Sequence, residues 1–437
     1  MRPLLIGVLG VLTVALVPAA PAAGQGAERA HSRQDRERGQ RMLRQLRETL
    51  DRYYYDSTYR GIDLDRHQAR TDSAIDAAGS IPEITAALAD FLHVLDDSHT
   101  RFYPPGLSVT ADYGWTWITV GDDCLVATVK EKSSAAEKGL VVGDRVLAID
   151  GVKPTRDNIS LIGYVYHQLS PRPGMRLLVE REDGQRAELV IESVLTKRGP
   201  VEDLSDLEGW RRYREAAERT RPRHRVQEVD SVLVWHLPRF LYQDREIDRV
   251  MERARRFAWL VLDLRGNPGG AIEAEIRLLG HFFPEPFDAY TEVWRDSTVL
   301  RRVVPKGREP FLGQVVVLID SRSASAAEIS SRVLQMRGRA TVVGDRSAGA
   351  VQTSYGISLE LGSIFQERTL PFGMSVTITD VIMPDDARIE KLGVIPNVAA
   401  LPTGRDLAAK RDPAMQFALE LAGLSVTPEE AWRIPGR

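Results

Sequence analysis

Cysteine is almost absent from this chain: Cys124 is the only one in 437 residues. A single thiol excludes an intramolecular disulfide, and no cysteine follows the N-terminal apolar segment to carry a lipid. Cys124 opens the apolar stretch CLVATV, so we expect it to be a core thiol in a strand. The chain also lacks a large excess of positive or negative residues, since its formal net charge is −3. This balance argues against a strongly basic surface that binds nucleic acid.

A hydrophobic run long enough to cross a membrane is also missing. The N-terminal apolar run extends from Leu4 to Val17, which is shorter than the roughly 20 residues of a spanning helix. Arg2 precedes the run, and Ala20-Pro21-Ala22 follows it as an A-x-A cleavage pattern. We expect residues 1–23 to be a cleaved secretory signal peptide, with an uncleaved anchor as the alternative. The mature chain is then expected in the periplasm or outside the cell, without a stable membrane span.

Changes in the spacing of apolar residues along the chain predict an α/β multidomain protein. Apolar residues at helical spacing (Leu43 to Tyr53, Ile84 to Leu95) give way to short alternating strands from Tyr113. Strands and helices then alternate, as in a parallel sheet. The predicted divisions are a signal peptide (1–23), a polar leader (24–40), an N-terminal helical domain (41–105), a β-rich module (106–196), a charged connector (197–227), an α/β core (228–410) and a C-terminal tail (411–437).

The stretch VVVLIDSRSASAAEISSRVLQ, Val315 to Gln335, predicts a buried parallel strand that turns sharply into a helix. Ser325 then lies at the helix N-terminus, where unpaired N–H groups and the helix dipole favour a developing negative charge. Such an environment suits the nucleophile of an acyl-transfer reaction. It equally suits a serine that only caps the helix, so the stretch alone leaves both roles open.

Four motifs follow one another in the core: LVLDLRGNPGG (Leu260 to Gly270), SRSASAAE (Ser321 to Glu328), VVGDRSAGAVQ (Val342 to Gln352) and KLGVIPN (Lys391 to Asn397). Together they resemble the tail-specific, or C-terminal processing, peptidase family, which includes the tricorn-type proteases. The resemblance implies a crotonase-like core and a PDZ domain at about 107–196. It also implies a serine peptidase without metal or organic cofactor, in which Ser325 attacks the scissile carbonyl.

The same resemblance implies an oxyanion hole formed by the backbone N–H groups of Ala326 and of a glycine in NPGG, Gly270 in preference to Gly269. A glycine pair that opens a helix after a buried strand lets N–H groups approach an oxyanion without an intervening Cβ. A tight turn in which Pro268 begins the helix is the purely structural alternative.

The residue expected to act as general base differs from that of the best-known members of the family, which have a lysine after the V-V-G strand. The corresponding stretch GDRSAGAVQ contains no lysine, and the guanidinium of Arg346 does not deprotonate in a protein. The tricorn-like branch instead has a histidine preceded by serine, which here matches Ser98 and His99 in LDDSHTRF. By resemblance, Glu390 acts on the base through Ser98, with nearby Asp380, Asp385 and Asp386 as other candidate acids.

The β-rich module offers a second expected site. A PDZ domain adds a peptide as an extra strand and captures its terminal carboxylate on backbone N–H groups. By resemblance, Tyr113, Gly114, Trp115 and Thr116 form the carboxylate loop, and KGLVVGDRVLAIDG (Lys138 to Gly151) is the recognisable signature. A module that only spaces the domains is the alternative.

These patterns predict a serine endopeptidase that cleaves exported or unfolded proteins and peptides near their C-termini. Two other functions stay open: a Ser-Lys enzyme whose lysine comes from elsewhere, such as Lys391, and a non-catalytic protein of the same fold that binds peptides or lipids. The expected partners are protein or peptide substrates and no nucleic acid. The sequence leaves open whether the chain forms a homo-oligomer.

Overall fold

The computed structural model describes residues 33–104, 109–197, 223–242, 245–361 and 370–434. The predicted signal peptide and most of the charged connector lie outside these ranges. Within them the helices are α1 (Arg33–Tyr53), α2 (Leu64–Ala77), α3 (Ile81–His93), α4 (Ser134–Glu137), α5 (Ile159–Tyr164), α6 (Glu246–Ala254), α7 (Ile272–Gly280), α8 (Ala326–Met336), α9 (Gly404–Ala408), α10 (Pro413–Leu421) and α11 (Pro428–Trp432).

The strands alternate with these helices in the C-terminal half and are clustered before it. They are β1 (Arg101–Tyr103), β2 (Val109–Asp112), β3 (Trp115–Val120), β4 (Asp123–Val129), β5 (Arg145–Ile149), β6 (Gly174–Glu180), β7 (Arg186–Glu192), β8 (Val194–Lys197), β9 (Arg225–Val229), β10 (Val232–His236), β11 (Trp259–Asp263), β12 (Phe287–Trp294), β13 (Thr298–Val303), β14 (Gln314–Ile319), β15 (Thr341–Gly344), β16 (Thr353–Leu361), β17 (Leu370–Ile382) and β18 (Val398–Ala399).

A six-stranded sheet in the order β18-β15-β14-β11-β10-β9 forms the centre of the core. Its strands are parallel except β9, which pairs antiparallel with β10. Alternate side chains face opposite layers: Leu262 and Val317 pack with α6, α7 and α8, while Val261 and Val316 pack with α10 and α11. Burial of both faces explains why these strands are continuous apolar runs. The ends of β11 and β14 are neighbours, so the turns that follow them meet.

A second, antiparallel sheet connects this core to the N-terminal helices. Its order is β1-β17-β12-β13, and β16 also pairs with β17. Strand β1 pairs with β17 through Phe102 and Met374, and helices α1 and α3 bury Leu46 and Leu88 in the same apolar cluster as Met374. The chain just before β1 is therefore held against β17.

The β-rich module is a five-stranded antiparallel sheet in the order β3-β4-β5-β6-β7, entered and left through the β2–β8 pair. Cys124 is buried in β4, as expected for a core thiol, and burial raises its pKa to about 12. The module contacts the core through Arg156, whose Nη2 lies 2.6 Å from Asp345 Oδ2. Ser321 Oγ also donates a hydrogen bond to Thr119 O, at 2.5 Å.

Three predicted boundaries differ from the structure. Helix α1 begins at Arg33, inside the predicted leader 24–40, because its first turns are a charged surface with an Arg33–Glu37 pair at 3.1 Å and lack an apolar signal. Strand β9 begins inside the predicted connector 197–227 and extends the six-stranded sheet. The predicted tail 411–437 contains α10 and α11, which cover one face of that sheet through buried side chains such as Met415.

None of the helices in the described ranges combines the length and the apolar composition needed to cross a membrane.

Candidate active site

Ser325 lies in the turn between β14 and α8, at the N-cap of the helix. Its backbone has φ 55° and ψ −122°, a left-handed region that is strained for a residue with a Cβ. Two bonds hold this conformation: the Ser325 N–H donates to Ala350 O at 2.8 Å and to Glu328 Oε2 at 3.0 Å. An ordinary N-cap has extended dihedral angles, so Ser325 departs from the usual capping geometry even though it forms a capping box with Glu328.

The turn after β11 packs directly against Ser325. Ala324 N donates to Asn267 O at 2.9 Å, which ties the two turns together. Gly269 is required in this packing, because a Cβ there would lie 2.6 Å from Ser325 Cβ. Gly270, with φ 145°, leaves no room either, because a Cβ would lie 1.9 Å from Phe240 O.

Some backbone N–H groups beside Ser325 already donate to a protein acceptor, and others do not. Gly269 N donates to Asn267 Oδ1 at 2.8 Å. Among the residues that the structure describes, by contrast, Gly270 N and Ala326 N have no protein acceptor. Available N–H groups beside a strained serine can stabilise an oxyanion. The geometry therefore favours Gly270 over Gly269 as an oxyanion donor, which is the same preference that the family resemblance implies.

His99 lies in the turn between α3 and β1. Its Nδ1 is 2.6 Å from Ser98 Oγ, and Ser375 Oγ from β17 donates to His99 O. The Asp97 carboxylate accepts the His99 N–H at 3.0 Å. Burial lowers the pKa of His99 to about 4, against the opposing effect of the Asp97 charge, so the imidazole is neutral at neutral pH.

Glu390 follows β17 and bonds two different segments. Its Oε1 accepts the Ser98 N–H at 3.1 Å, and its Oε2 accepts the Val351 N–H at 2.9 Å. Burial raises the pKa of this carboxyl group, while the bonds from Val351 and Ser98 act in the opposite direction. The other candidate acids are engaged elsewhere: Asp380 pairs with Arg388, and Asp385 with Arg332. Asp386, in the same turn, donates its N–H to Met383 O.

Consecutive residues in the loop before β16 join Ser325 to Glu390. Ala350 O bonds Ser325, and Val351 N bonds Glu390. Ser325, Ser98 with His99, and Glu390 come from distant parts of the chain, and these bonds assemble them. Lys391, the alternative base, is engaged elsewhere: its Nζ lies 2.8 Å from Asp96 Oδ1.

Glu328 is a functional residue that the sequence reasoning missed. Its fully buried carboxylate accepts from Ser347 Oγ at 2.6 Å, Gly349 N at 2.7 Å, Ala350 N at 2.8 Å and Ser325 N at 3.0 Å. Burial raises its pKa to about 7, although these bonds oppose the shift. The S-x-x-E spacing of a capping box was visible in the sequence, but the contacts to residues 347–350 were not.

The four residues expected to capture a carboxylate lie at the start of β3. Tyr113 and Trp115 are buried, and Tyr113 Oη accepts the Arg172 N–H at 3.1 Å. The Gly114 N–H is already used, because it donates to Asp112 Oδ1 at 2.9 Å. Thr116 Oγ1 lies 2.6 Å from Thr128 Oγ1 on β4. This part of the module therefore presents fewer available donors than the sequence predicts.

A metal centre is not formed by the described residues, among which no three His, Cys, Asp or Glu side chains are grouped to hold an ion. The groups that the site offers are a serine hydroxyl, a neutral imidazole and two available backbone N–H donors.

Comparison with known proteins identifies the core. Residues 231–400 match peptidase family S41. The chain is 31% identical over 164 residues to a carboxyl-terminal-processing protease of Synechocystis, covering 37% of this chain and 36% of that protein. It is 25% identical over 337 residues to carboxyl-terminal-processing peptidase 1, chloroplastic, of Arabidopsis thaliana, covering 72% of this chain and 62% of that protein. The matches thus span between about a third and three fifths of these relatives.

A solved structure supports the fold. Mature CPAF in complex with lactacystin superposes with a TM-score of 0.64 at 16% identity, covering 89% of this chain and 98% of that chain. At this identity the likeness establishes the mixed α/β, multidomain fold alone.

Proposed function

Since residues 231–400 belong to peptidase family S41, we propose that this protein is a serine-type peptidase with Ser325 as nucleophile and His99 as general base. One observation carries the proposal. The Ala350–Val351 segment bonds Ser325 on one side and Glu390 on the other, and Glu390 also bonds the residue before His99. The proposed reaction needs no metal or organic cofactor.

The first step transfers the proton of Ser325 Oγ to His99. A neutral imidazole is required, and the lowered pKa of about 4 supports that state. In the productive tautomer Nδ1 carries a proton and donates to Ser98 Oγ, 2.6 Å away, which leaves Nε2 as the base. Ser98 then donates to Glu390, whose negative charge stabilises the imidazolium.

Ser325 Oγ forms a bond to the scissile carbonyl carbon as the proton leaves. The carbonyl oxygen becomes an oxyanion and accepts from Gly270 N and Ala326 N. His99 returns the proton to the leaving amine, which breaks the peptide bond and leaves an acyl-enzyme. Water, deprotonated by the same imidazole, then releases the acyl group and restores Ser325.

We extend the proposal to the substrates: exported or unfolded proteins and peptides, engaged near their C-termini in the periplasm or outside the cell. Support comes from relatives named for carboxyl-terminal processing and from the resemblance of the module to a PDZ domain, attached to a crotonase-like core. A PDZ domain binds a tail as an added strand. Because Gly114 N already bonds Asp112, capture of a tail carboxylate there requires this bond to open.

Hydrolysis of an unfolded protein by the purified chain tests the proposal. Ser325→Ala and His99→Ala should each reduce turnover by roughly 1,000-fold or more, because the members of a catalytic triad act as a unit. Ser331→Ala is the matched control, since among the described residues Ser331 Oγ bonds Ala327 O within its own helix α8. If hydrolysis is lost in Ser325→Ala but retained in His99→Ala, a residue other than His99 is the base. A parent chain without activity under any condition would favour a binding protein.

A further inference from the structure

Asp97 makes an unusual number of contacts for a residue outside the proposed catalytic group. Its Oδ1 accepts from Thr100 N at 2.6 Å, from Thr377 Oγ1 at 2.9 Å and from His99 N at 3.0 Å. Its Oδ2 accepts from Thr100 Oγ1 at 2.8 Å. One carboxylate thus closes the turn that carries His99 and fastens that turn to β17.

Asp97 is itself partly buried, and several of its neighbours are buried more deeply. Thr377 and Tyr54 are fully buried, and Thr100 is nearly so. Burial raises the pKa of the Tyr54 phenol, and the negative charge of Asp97 raises it further. The charge of Asp97 therefore acts on a buried neighbouring side chain.

Two charged groups act on His99 directly, and a third contacts the neighbouring residue Ser98. Asp97 lies in its own turn and favours the imidazolium, whereas Arg101 on β1 disfavours it. The third group, Glu390, reaches the imidazole only through Ser98. Arg101 Nη2 is held by Ser160 Oγ at 2.9 Å. Asp97 is thus the carboxylate that contacts His99 itself, through the backbone N–H of that residue.

We propose that Asp97 is a positioning residue for His99: its hydrogen bonds fix the base against β17, and its charge stabilises the imidazolium that forms when the proton leaves Ser325. This inference rests on the proposed function. The proposed site thus has two carboxylates with different tasks. Glu390 orients the imidazole through Ser98, and Asp97 holds the main chain and supplies charge.

The variant Asp97→Asn separates charge from geometry, because an amide oxygen still accepts from His99 N and Thr100 N while the negative charge is lost. We expect kcat/KM to fall by about tenfold, the ratio that corresponds to one pKa unit, with the melting temperature nearly unchanged. In a Ser325→Ala background, NMR titration of the His99 ring between pH 7 and 3 should show a pKa below that of the parent. A merely structural role would leave this pKa unmoved.

Asp56→Asn is the matched control. Asp56 closes a similar turn, accepting from Thr58 N at 2.9 Å, Thr58 Oγ1 at 2.7 Å and Arg60 N at 2.7 Å, but its charge does not act on His99. This variant should retain both the parental kcat/KM and the parental pKa of His99.

The result that would overturn the proposal is an unchanged pKa of His99 together with unchanged kcat/KM in Asp97→Asn. If Asp97→Asn fails to fold, Thr377→Val serves instead, because it removes one bond to Asp97 without removing charge. A several-fold loss of kcat/KM in Thr377→Val supports the proposal, and parental activity contradicts it. Should the parent chain prove inactive, the proposed function fails, whereas the NMR titration still decides the electrostatic effect of Asp97.

Discussion

His99 is the residue whose protonation state decides whether the proposed reaction can begin. Its pKa of about 4, lowered by burial, keeps the imidazole neutral across the physiological range. A base with so low a pKa is weak in isolation, because its protonated form is disfavoured. The charge of Asp97 already offsets part of the burial cost within this pKa, and in the proposed mechanism Glu390, bonded to the neighbouring Ser98, stabilises the protonated imidazole further.

The pH dependence of kcat/KM follows from this shift. The base must be unprotonated, so activity is present above the pKa of His99 and is lost as the pH falls through it. We predict an acid limb well below the ordinary histidine value of about 6.5 and near pH 4. A limb at pH 6.5 or above would contradict the assignment and would point to Glu328, whose pKa is about 7.

Stability needs to be followed in the same pH series. The folded-state pKa of His99 is lowered, so the unfolded chain binds the proton more tightly. The stability of the folded state therefore falls as the pH drops below about 6.5. Circular dichroism at each pH distinguishes loss of the base from loss of the fold. A kinetic limb that coincides with unfolding would carry no information on His99.

At the residue scale, the sequence supports some assignments far better than others. The position of Ser325 at a helix N-terminus was predictable from local chemistry, because a buried strand running into a small-residue helix start is visible in the sequence, but its proposed role as nucleophile came from the resemblance to a family. Ser98, His99 and Glu390 came only from the resemblance to a family. Asp97 was not predictable, since its bond to Thr377 joins residues 280 positions apart.

At the scale of elements, Glu328 joins the start of α8 to the loop before β16. Its carboxylate accepts from the Ser325 backbone and from residues 347–350, and Ser347 Oγ also accepts the Val394 N–H at 2.6 Å. Glu328 thereby holds two segments of the site directly and reaches a third, at Val394, through Ser347. Such a clamp explains how Ser325 is maintained in a strained conformation.

Glu328→Gln tests the clamp. An amide has one acceptor oxygen where the carboxylate has two, so at least one buried N–H group loses its partner. A lost hydrogen bond to a charged group is worth about 1.5–3 kcal/mol, which corresponds to a decrease in kcat of roughly 10- to 100-fold. KM should change little. Parental kcat in Glu328→Gln would contradict the role, and Ser331→Ala in the same helix should behave like the parent.

The elements themselves were largely predictable where periodicity is strong. Strands β11 and β14 are continuous apolar runs because the sheet is covered on both faces, and helix α3 has apolar residues at helical spacing. The start of α1 was not predictable, because its exposed first turns are uniformly charged. Helices α10 and α11 are short, and only their packing on the sheet reveals them as part of the core.

At the scale of the whole molecule, a buried ion pair links the module to the segment that leads into the proposed active site. Arg156 and Asp345 have side chains only 9% and 10% exposed, and Arg156 Nη1 also donates to Arg346 O at 2.8 Å. Residues 345 and 346 lead directly into the 347–351 segment that bonds Ser325, Glu328 and Glu390. A movement of the module is therefore expected to reach the catalytic residues through this connection.

A double-mutant cycle on Arg156→Ala and Asp345→Asn tests that connection. Breaking a buried pair from one side leaves an unpaired charge and costs about 3–5 kcal/mol. We expect each single variant to lose both stability and kcat, and the double variant to lose less than the sum. Additive losses would contradict a direct coupling.

The control is the exposed pair Arg405–Glu182, which also joins core and module and has side chains 71% and 59% exposed. Arg405→Ala should change the free energy of unfolding by less than about 1 kcal/mol, because exposed ion pairs contribute little.

The most direct measurement for the account as a whole is the rate at which a fluorophosphonate labels the purified chain, with the modified residue located by mass spectrometry. The account predicts a single adduct on Ser325, none in Ser325→Ala, and labelling at least about 1,000-fold slower in His99→Ala. Labelling of Ser325 at the parental rate in His99→Ala, or an adduct at another residue, would contradict the proposed serine–histidine mechanism.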